Sequence, residues 1–342
     1  MSQDTIIAFD VMGGDQGSRP CVSAARNFAV AQPSIQLKLF GLSDEIETFL
    51  CQLGPVPENI SICHAAQVVA TSDEPLQALR HKRFSSMALA LKALSSGGAD
   101  VCVSAGNTGA LMALGRHYVK TLDGVKRPAI CKNIPTRTGS SLLLDLGANL
   151  NCSADNLVQF AAMGAAQMRL EGRALPRVAL LNVGTELAKG SDAVREAARR
   201  LSKERRGMQF EGYIEGDELY SGRVDVIVCD GFAGNVALKV SEGLVRHLVA
   251  SIDEYFSASY TGRLARLIAG PILKAWSKKK NPSLYNGAAF LGLKKSVIKS
   301  HGGADELGLE KALEAAAVQV ELDVPAQLER GLKQCLPRNC QS

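Results

Sequence analysis

A chain of 342 residues with 46% hydrophobic side chains can bury a large core, which excludes a disordered protein. Its formal net charge of +5 is too small to argue for nucleic acid as a partner. The 9 cysteines, without a Cys-x-x-Cys pair or a histidine at metal-ligand spacing, fit reduced thiols and exclude a disulfide framework or zinc site.

The N-terminal Met-Ser-Gln-Asp carries no basic stretch and no long apolar core, so no signal peptide is expected. Nor is there a run of about 18 apolar residues to span a bilayer. The expectation is a cytoplasmic protein, with attachment to a membrane surface left open.

In chain order, short apolar runs predict strands at Thr5–Phe9, Ile35–Phe40, Ile60–Cys63, Asp100–Val103, Ser141–Leu146, Val178–Val183 and Asp225–Cys229. Most lack polar-apolar alternation and read as strands buried on both faces. Between them, amphipathic periodicity predicts helices at Pro20–Ala31, Ser43–Leu53, Ser85–Leu94, Ala110–Val119, Ala154–Leu170, Asp192–Ser202 and Asn235–Phe256. Strand-helix alternation of this kind predicts an α/β fold, a three-layer Rossmann-like, mostly parallel sheet with helices on both faces. In such sheets ligands bind at the carboxyl ends of the strands. No clear linker appears, so a single domain over 1–342 is expected, with an inserted helical tip at 244–282.

Five strand ends share one composition: Asp10–Gly17, Ser104–Gly109, Asp145–Asn149, Asn182–Thr185 and Asp230–Asn235. Glycine lets backbone come close to a ligand, and a helix start adds partial positive charge, so each loop is a possible anion site. Together they predict one cleft lined by amides, hydroxyls and carboxamides. No Gly-x-Gly-x-x-Gly occurs, which speaks against a dinucleotide, and Gly184–Ser191 matches a P-loop only superficially. Candidate cations for an oxyanion are Arg80, Lys82, Lys189 and Lys299, with His301 beside two glycines. Cys102 and Cys229 lie in apolar runs, where a thiolate is disfavoured.

From Thr261 to Lys280 the chain has no acidic residue. Leu264, Leu267, Ile268, Ile272 and Trp276 share a helical face opposite arginines and lysines. A basic amphipathic helix ending in Trp fits either a membrane interface or a dimer contact.

Asp10–Asp15, Ser104–Leu111, Leu144–Asn149, Gly234–Lys239 and the segments Tyr285–Ala288 and Lys299–Gly302 resemble the signatures of the bacterial phosphate acyltransferases of phospholipid synthesis. The motifs follow one another from residue 10 to 303. Three loops depart from the pattern: the proline delayed to Pro20, Thr185-Glu186, and Lys294-Lys295. The resemblance implies a fold akin to phosphotransacetylases and isopropylmalate dehydrogenases, and a homodimer. It implies transfer of a fatty acyl group from acyl carrier protein to inorganic phosphate, with no metal or organic cofactor. The acyl phosphate would pass to a membrane glycerol-3-phosphate acyltransferase, placing the protein at the inner face of the cell membrane.

For that chemistry, Ser104, Asn107 and Thr108 are expected to cradle phosphate with Lys299. Asp10, Gly13, Gly14, Gly106, Gly109, Asp145, Asn149 and Lys189 complete the expected substrate site. His301 is expected to polarise the thioester carbonyl or protonate the thiolate, and Asn235 and Asn286 to donate to the oxyanion. Arg80 and Lys82 would steer phosphate or the carrier's prosthetic arm. Arg205-Arg206 and Lys278–Lys280 are candidate docking patches for the acidic carrier. The rival enzyme reading is a phosphotransacetylase using a coenzyme A thioester. A metal-dependent hydroxy-acid dehydrogenase would need clustered aspartates and a nicotinamide site, and neither set assembles. A membrane-surface scaffold would leave the five loops without a purpose.

Overall fold

The computed structural model describes residues 5–203, 207–261, 263, 265–271 and 282–335. In chain order the first half comprises β1 (Ile6–Asp10), α1 (Ser18–Ala31), β2 (Gln36–Gly41), α2 (Ser43–Leu53), β3 (Ile60–His64), α3 (Pro75–His81), α4 (Ser86–Ser95), β4 (Val101–Ser104), α5 (Thr108–Tyr118), β5 (Ala129–Thr136) and β6 (Gly139–Leu144). The second half comprises α6 (Ala154–Leu170), β7 (Arg177–Leu181), α7 (Asp192–Leu201), β8 (Gln209–Ile214), β9 (Val226–Val228), α8 (Gly231–Ser257), β10 (Ala288–Leu291), β11 (Ser296–Lys299), α9 (Glu306–Glu321) and α10 (Val324–Cys335).

The strands form one 11-stranded sheet in the order β3-β2-β1-β4-β11-β10-β5-β6-β9-β7-β8. The first five are parallel to one another, and so are the last four. Between them β10 runs antiparallel to both neighbours, and β5 runs antiparallel to β6. The two parallel blocks therefore run in opposite directions. Register then decides where their ends fall. Ser104 pairs with Lys299 and Lys299 with Ala288, while next to Ala288, Ala289 pairs with Cys131 and Cys131 with Leu144. Both blocks thus end on the same row at the middle of the sheet, and the carboxyl ends of strands from both halves meet there.

Helices cover both faces. On one, Val22 and Phe28 of α1, Phe160 and Met163 of α6 and Leu313 of α9 pack on inward residues such as Phe9 and Leu144. On the other, Met87 and Leu91 of α4 and Leu111 and Leu114 of α5 pack on Cys102 and Leu143. α6 is buried nearly all round because α7 and α10 cover the side that faces away from the sheet. Its start is fixed by a capping box between Ser153 and Asn156.

The predicted strands and helices all appear, most with shifted ends. β5, β8, β10, α3, α9 and α10 lie outside the predicted set, and β11 extends the apolar run before Lys299. Pro135 breaks the strand pattern of β5 but is tolerated there. β10 pairs with β5 only at residues 129–131, so beyond that point β5 is an edge on one side and needs no donor from Pro135. Residues 244–257 continue α8 rather than begin an inserted tip. Helix resumes among the described residues between 260 and 271.

Candidate active site

A pocket of about 420 Å³ opens on the central row. Its walls come from the loops after β1, β4 and β11, the start of β5 and the first turns of α8. Four basic side chains line it: Lys132, Lys239, Lys299 and His301. Asp15 and Glu242 are the carboxylates on its wall.

Lys299 ends β11 and donates through Nζ to the carbonyls of Ala105, at 3.1 Å, and Ser300. Burial lowers its pKa to about 8, against the opposing pull of Asp15 and Asp10. Lys132 is shifted down as well, first by burial, with Glu242 pulling it back up and Lys239 adding to the drop. Removing lysines from water at this spot is costly unless an anion joins them.

His301 has both ring nitrogens engaged. Nδ1 accepts from the Gly303 N–H at 3.1 Å, and Nε2 lies 2.8 Å from Lys239 Nζ, whose ammonium also pairs with Glu242 at 2.9 Å. A doubly protonated ring fits neither contact, and a neutral ring, with one N–H and one lone pair, accepts at Nδ1 and then carries its hydrogen on Nε2. Burial and then the charge of Lys239 hold His301 below its ordinary pKa, so the imidazole is neutral near pH 7.

The start of α5 forms the facing wall. Asn107 caps this helix by accepting from the Ala110 N–H at 3.0 Å. The N–H groups of Thr108 and Gly109 in the first turn have no acceptor within the helix and flank the pocket. The helix start, three lysines and one neutral imidazole around a single cavity can hold a compact oxyanion beside a proton acceptor.

Several predicted site residues are tied into the loops, although Asn107 and Asn286 also line the pocket. Ser104 donates to Asp10 at 2.7 Å and accepts from the Gly106 N–H at 3.1 Å, so the pair locks two strand ends together. Asn107 spends its amide on the carbonyls of Thr71 and Asp73, both at 2.9 Å. Asp145 accepts from the N–H groups of Ile130, Ala148 and Asn149 and from the Asn149 side chain, which also donates to Pro128. Burial pushes the carboxyls of Asp10 and Asp145 up, and those bonds pull them back. Asn286 donates to Ser300 at 2.7 Å and to Gly308, and it accepts from the His301 N–H at 3.0 Å. Its amide is used up in orienting His301, which corrects its expected place as an oxyanion donor. The side chain of Asn235, on the pocket wall, has no hydrogen bond to a described residue.

The glycines act by close approach. A side-chain carbon on Gly13 would sit 2.6 Å from the Gly106 nitrogen, and one on Gly109 would sit 2.7 Å from Pro75. A carbon on Gly234 would meet the Asp145 carbonyl oxygen at 1.9 Å, so the start of α8 lies directly against the loop after β6. Gly14 stands next to the Gly302 carbonyl, beside the Asp15 N–H that bonds to it at 2.8 Å.

Three predicted cations are elsewhere. Lys82 pairs with Asp73 at 2.5 Å and donates to Val68, bracing the loop behind Thr71. Arg80 is exposed on α3, away from the pocket. Lys189 is exposed in the loop after β7, which Asn182 closes by donating to the carbonyls of Gly184 and Lys189. That loop lies several strands away from the pocket, so the expected single cleft of five loops is corrected. The loops after β1, β4 and β9, and Leu146 after β6, reach the cavity.

Lys132, Lys239, Glu242 and Asp15 are pocket residues that the sequence reading passed over. Lys239 lies in the quoted Gly234–Lys239 motif, nine residues past the Asp230 cap of α8, and so carried a signal. Cys102 and Cys229 are buried, with thiols driven far up by burial, and cannot act as nucleophiles here. Among the described residues no group of His, Cys, Asp or Glu is placed to hold a metal ion.

The region at 260–271 shows Leu267 and Ile268 exposed at 77% and 76%. Arg266 pairs with Asp253 at 2.9 Å and Arg263 lies over the Tyr260 ring. Leu264, Ile272, Trp276, Lys278–Lys280 and Arg205-Arg206 lie outside the described residues. Among the described residues no helix is long and apolar enough to cross a membrane.

A family model described as fatty acid synthesis protein matches residues 5–327. The phosphate acyltransferase of Teredinibacter turnerae is 49% identical over 337 residues, covering 98% of this chain and 100% of the relative. That of Saccharophagus degradans is 47% identical, covering 97% of each chain. The chain belongs to the phosphate acyltransferase family. A phosphotransacetylase from Streptococcus pyogenes superposes with a TM-score of 0.62 at 16% identity, over 93% of this chain and 94% of that one. A putative 4-hydroxythreonine-4-phosphate dehydrogenase from Salmonella typhimurium superposes at 0.53 and 12% identity, over 94% of this chain and 100% of that one. These two likenesses, at 16% and 12% identity, concern the fold alone.

Proposed function

We propose that the protein transfers a fatty acyl group from acyl carrier protein to inorganic phosphate, making acyl phosphate for phospholipid synthesis. The observation that carries this reading is the convergence of Lys132, Lys239, Lys299 and the first-turn amides of α5 on one cavity beside a neutral His301.

Phosphate is held between Lys299 and the start of α5. One of its oxygens attacks the thioester carbonyl, and the C–S bond breaks from the tetrahedral intermediate. The thiolate leaves readily, since thiols ionise near about 8.5. The proton carried by hydrogen phosphate must reach the departing thiolate for the reaction to balance. We assign the relay of this proton from phosphate to sulfur to His301, through the ring nitrogen that gives up its Lys239 contact as phosphate binds. Asn235 is the free carboxamide for the oxyanion. Positioning two reactants in one pocket supplies roughly 7–11 kcal/mol at best.

Incubation of the purified protein with palmitoyl carrier protein and inorganic phosphate tests the reading. Phosphate-dependent release of free carrier is expected, faster than release of coenzyme A from palmitoyl coenzyme A. Preference for the coenzyme A thioester would establish the phosphotransacetylase alternative instead.

Leu267 and Ile268, exposed beside basic residues, support attachment of the 260–271 region to anionic bilayers. Liposome flotation is expected to fall sharply in the Leu267→Glu and Ile268→Glu variants. Unchanged flotation would leave the dimer-contact reading of this segment.

A further inference from the structure

A second cavity, of about 460 Å³, runs beside the first between β5 and α8. Leu238, Leu244, Val245 and Leu248 of α8 form one wall, and Ile134 and Pro135 of β5 form the other. Its origin lies in the topology. β10 ends its pairing with β5 at Cys131, which leaves residues 132–136 without a strand on that side, and α8 lies across the gap. Lys132, Leu238 and Glu242 line both cavities, so the polar pocket opens directly into the apolar groove.

The two cavities together match a molecule with one polar reacting end and one apolar tail. From Leu238 to Leu248 the groove follows α8 for about 15 Å, an extended path suited to a long unbranched chain. Leu244 and Leu248 are 55% and 49% exposed, so this wall is wet when the groove is empty and gains by being covered. α8 also exposes Phe232, Val236 and Val240, but these do not line the groove and so do not call for the same occupant.

We propose that this groove holds the acyl chain of the substrate, with the reacting carbonyl at the Lys132–Leu238–Glu242 junction and the chain end near Leu248. The proposal rests on the acyl-transfer reading above and adds the chain subsite and the residues that select chain length. Each methylene taken from water into the groove is worth roughly fourfold in affinity at most.

The test separates binding from turnover. Equilibrium binding of palmitoyl and butyryl carrier protein is measured without phosphate, and turnover with it, for the wild type and for the Val245→Trp and Leu248→Asp variants. Thermal melting confirms that each variant is folded. Wild type is expected to bind the palmitoyl form far more tightly. Val245→Trp, which fills the groove, is expected to lower the palmitoyl-to-butyryl affinity ratio at least tenfold. A ratio within twofold of wild type in both folded variants overturns the groove assignment, whatever the turnover. The same unchanged ratio with a smaller sedimenting species would instead assign the groove to a contact with a second copy of this chain. A lowered ratio without any transfer to phosphate upholds the groove and sinks the acyl-transfer reading alone.

Discussion

Replacing Lys299 by alanine is expected to lower kcat/KM for phosphate by about 10²–10³-fold, the range for removing one preorganised donor from developing or bound negative charge. The physical reason is local. Lys299 is half-buried, its ammonium is tethered to the carbonyls of Ala105 and Ser300, and no other lysine enters the pocket from β11. A pH profile distinguishes this role from a merely structural one. Burial lowers the Lys299 pKa to about 8, so its charge is present below that pH and lost above it. Because kcat/KM reports ionisations of the free enzyme, it is expected to fall as pH rises through about 8 in the wild type. Lys299→Arg keeps its charge at all working pH values and is expected to lose this alkaline limb, even where its turnover is reduced by the different shape of the guanidinium. An identical alkaline limb in wild type and Lys299→Arg would remove Lys299 as its source.

The second large effect concerns His301 and Lys239. His301→Ala is expected to reduce kcat by about 10²–10⁴-fold, the usual worth of a positioned proton-transfer group. Lys239→Met removes the partner at 2.8 Å from the imidazole and releases Glu242 from its ion pair. It also removes a charge that depresses the His301 pKa. The acid limb of kcat/KM, set by protonation of His301, should therefore move up in pH in Lys239→Met. Since the two residues act through one contact, the double variant is expected to be little worse than the poorer single variant. Fully additive losses, measured as a double-mutant cycle on kcat/KM, would show that they act separately. Asn286→Ala serves as the positioning control, because Asn286 holds the His301 backbone and both its amide donors are taken by Ser300 and Gly308. It is expected to lower kcat without shifting the acid limb.

Much of the architecture was legible because its signals are local. Ser43–Leu53 and Ala154–Leu170 carry clear helical periodicity, and both are helices with those bounds. α9 carries the same kind of signal but lies outside the predicted set: Asp305 caps it, and Leu309, Ala312, Leu313 and Ala316 recur at helical spacing and are buried. β5 was not legible, since Lys132, Asn133 and Pro135 interrupt its apolar pattern. That strand is stabilised by partners on both sides at its start and by one partner at its end, which no local window contains.

The site divides in the same way. Residue type at strand ends pointed to His301 and Lys299, and both line the pocket. The same composition also pointed to Ser104, Asp145 and Asn149, which turn inward, and to Asn107, which lines the pocket but spends its amide on neighbouring carbonyls. A polar residue in such a loop satisfies either a ligand or a buried backbone group, and the choice depends on which carbonyls and amides lie within reach. For Asn107 those are the carbonyls of Thr71 and Asp73, and for Asp145 they include the Ile130 N–H. These partners come from distant parts of the chain.

The sequence by itself determined the family, the strand-helix alternation and the glycine-rich strand ends, because each is written in short windows of side-chain type. Only the tertiary structure decided that two oppositely directed blocks of strands end on one row. That row brings Lys132, Lys239 and Lys299 together although they lie far apart in the chain. The reason is that pairing register is fixed by which hydrophobic faces must be buried across the whole sheet, and charge converges wherever that register places the strand ends.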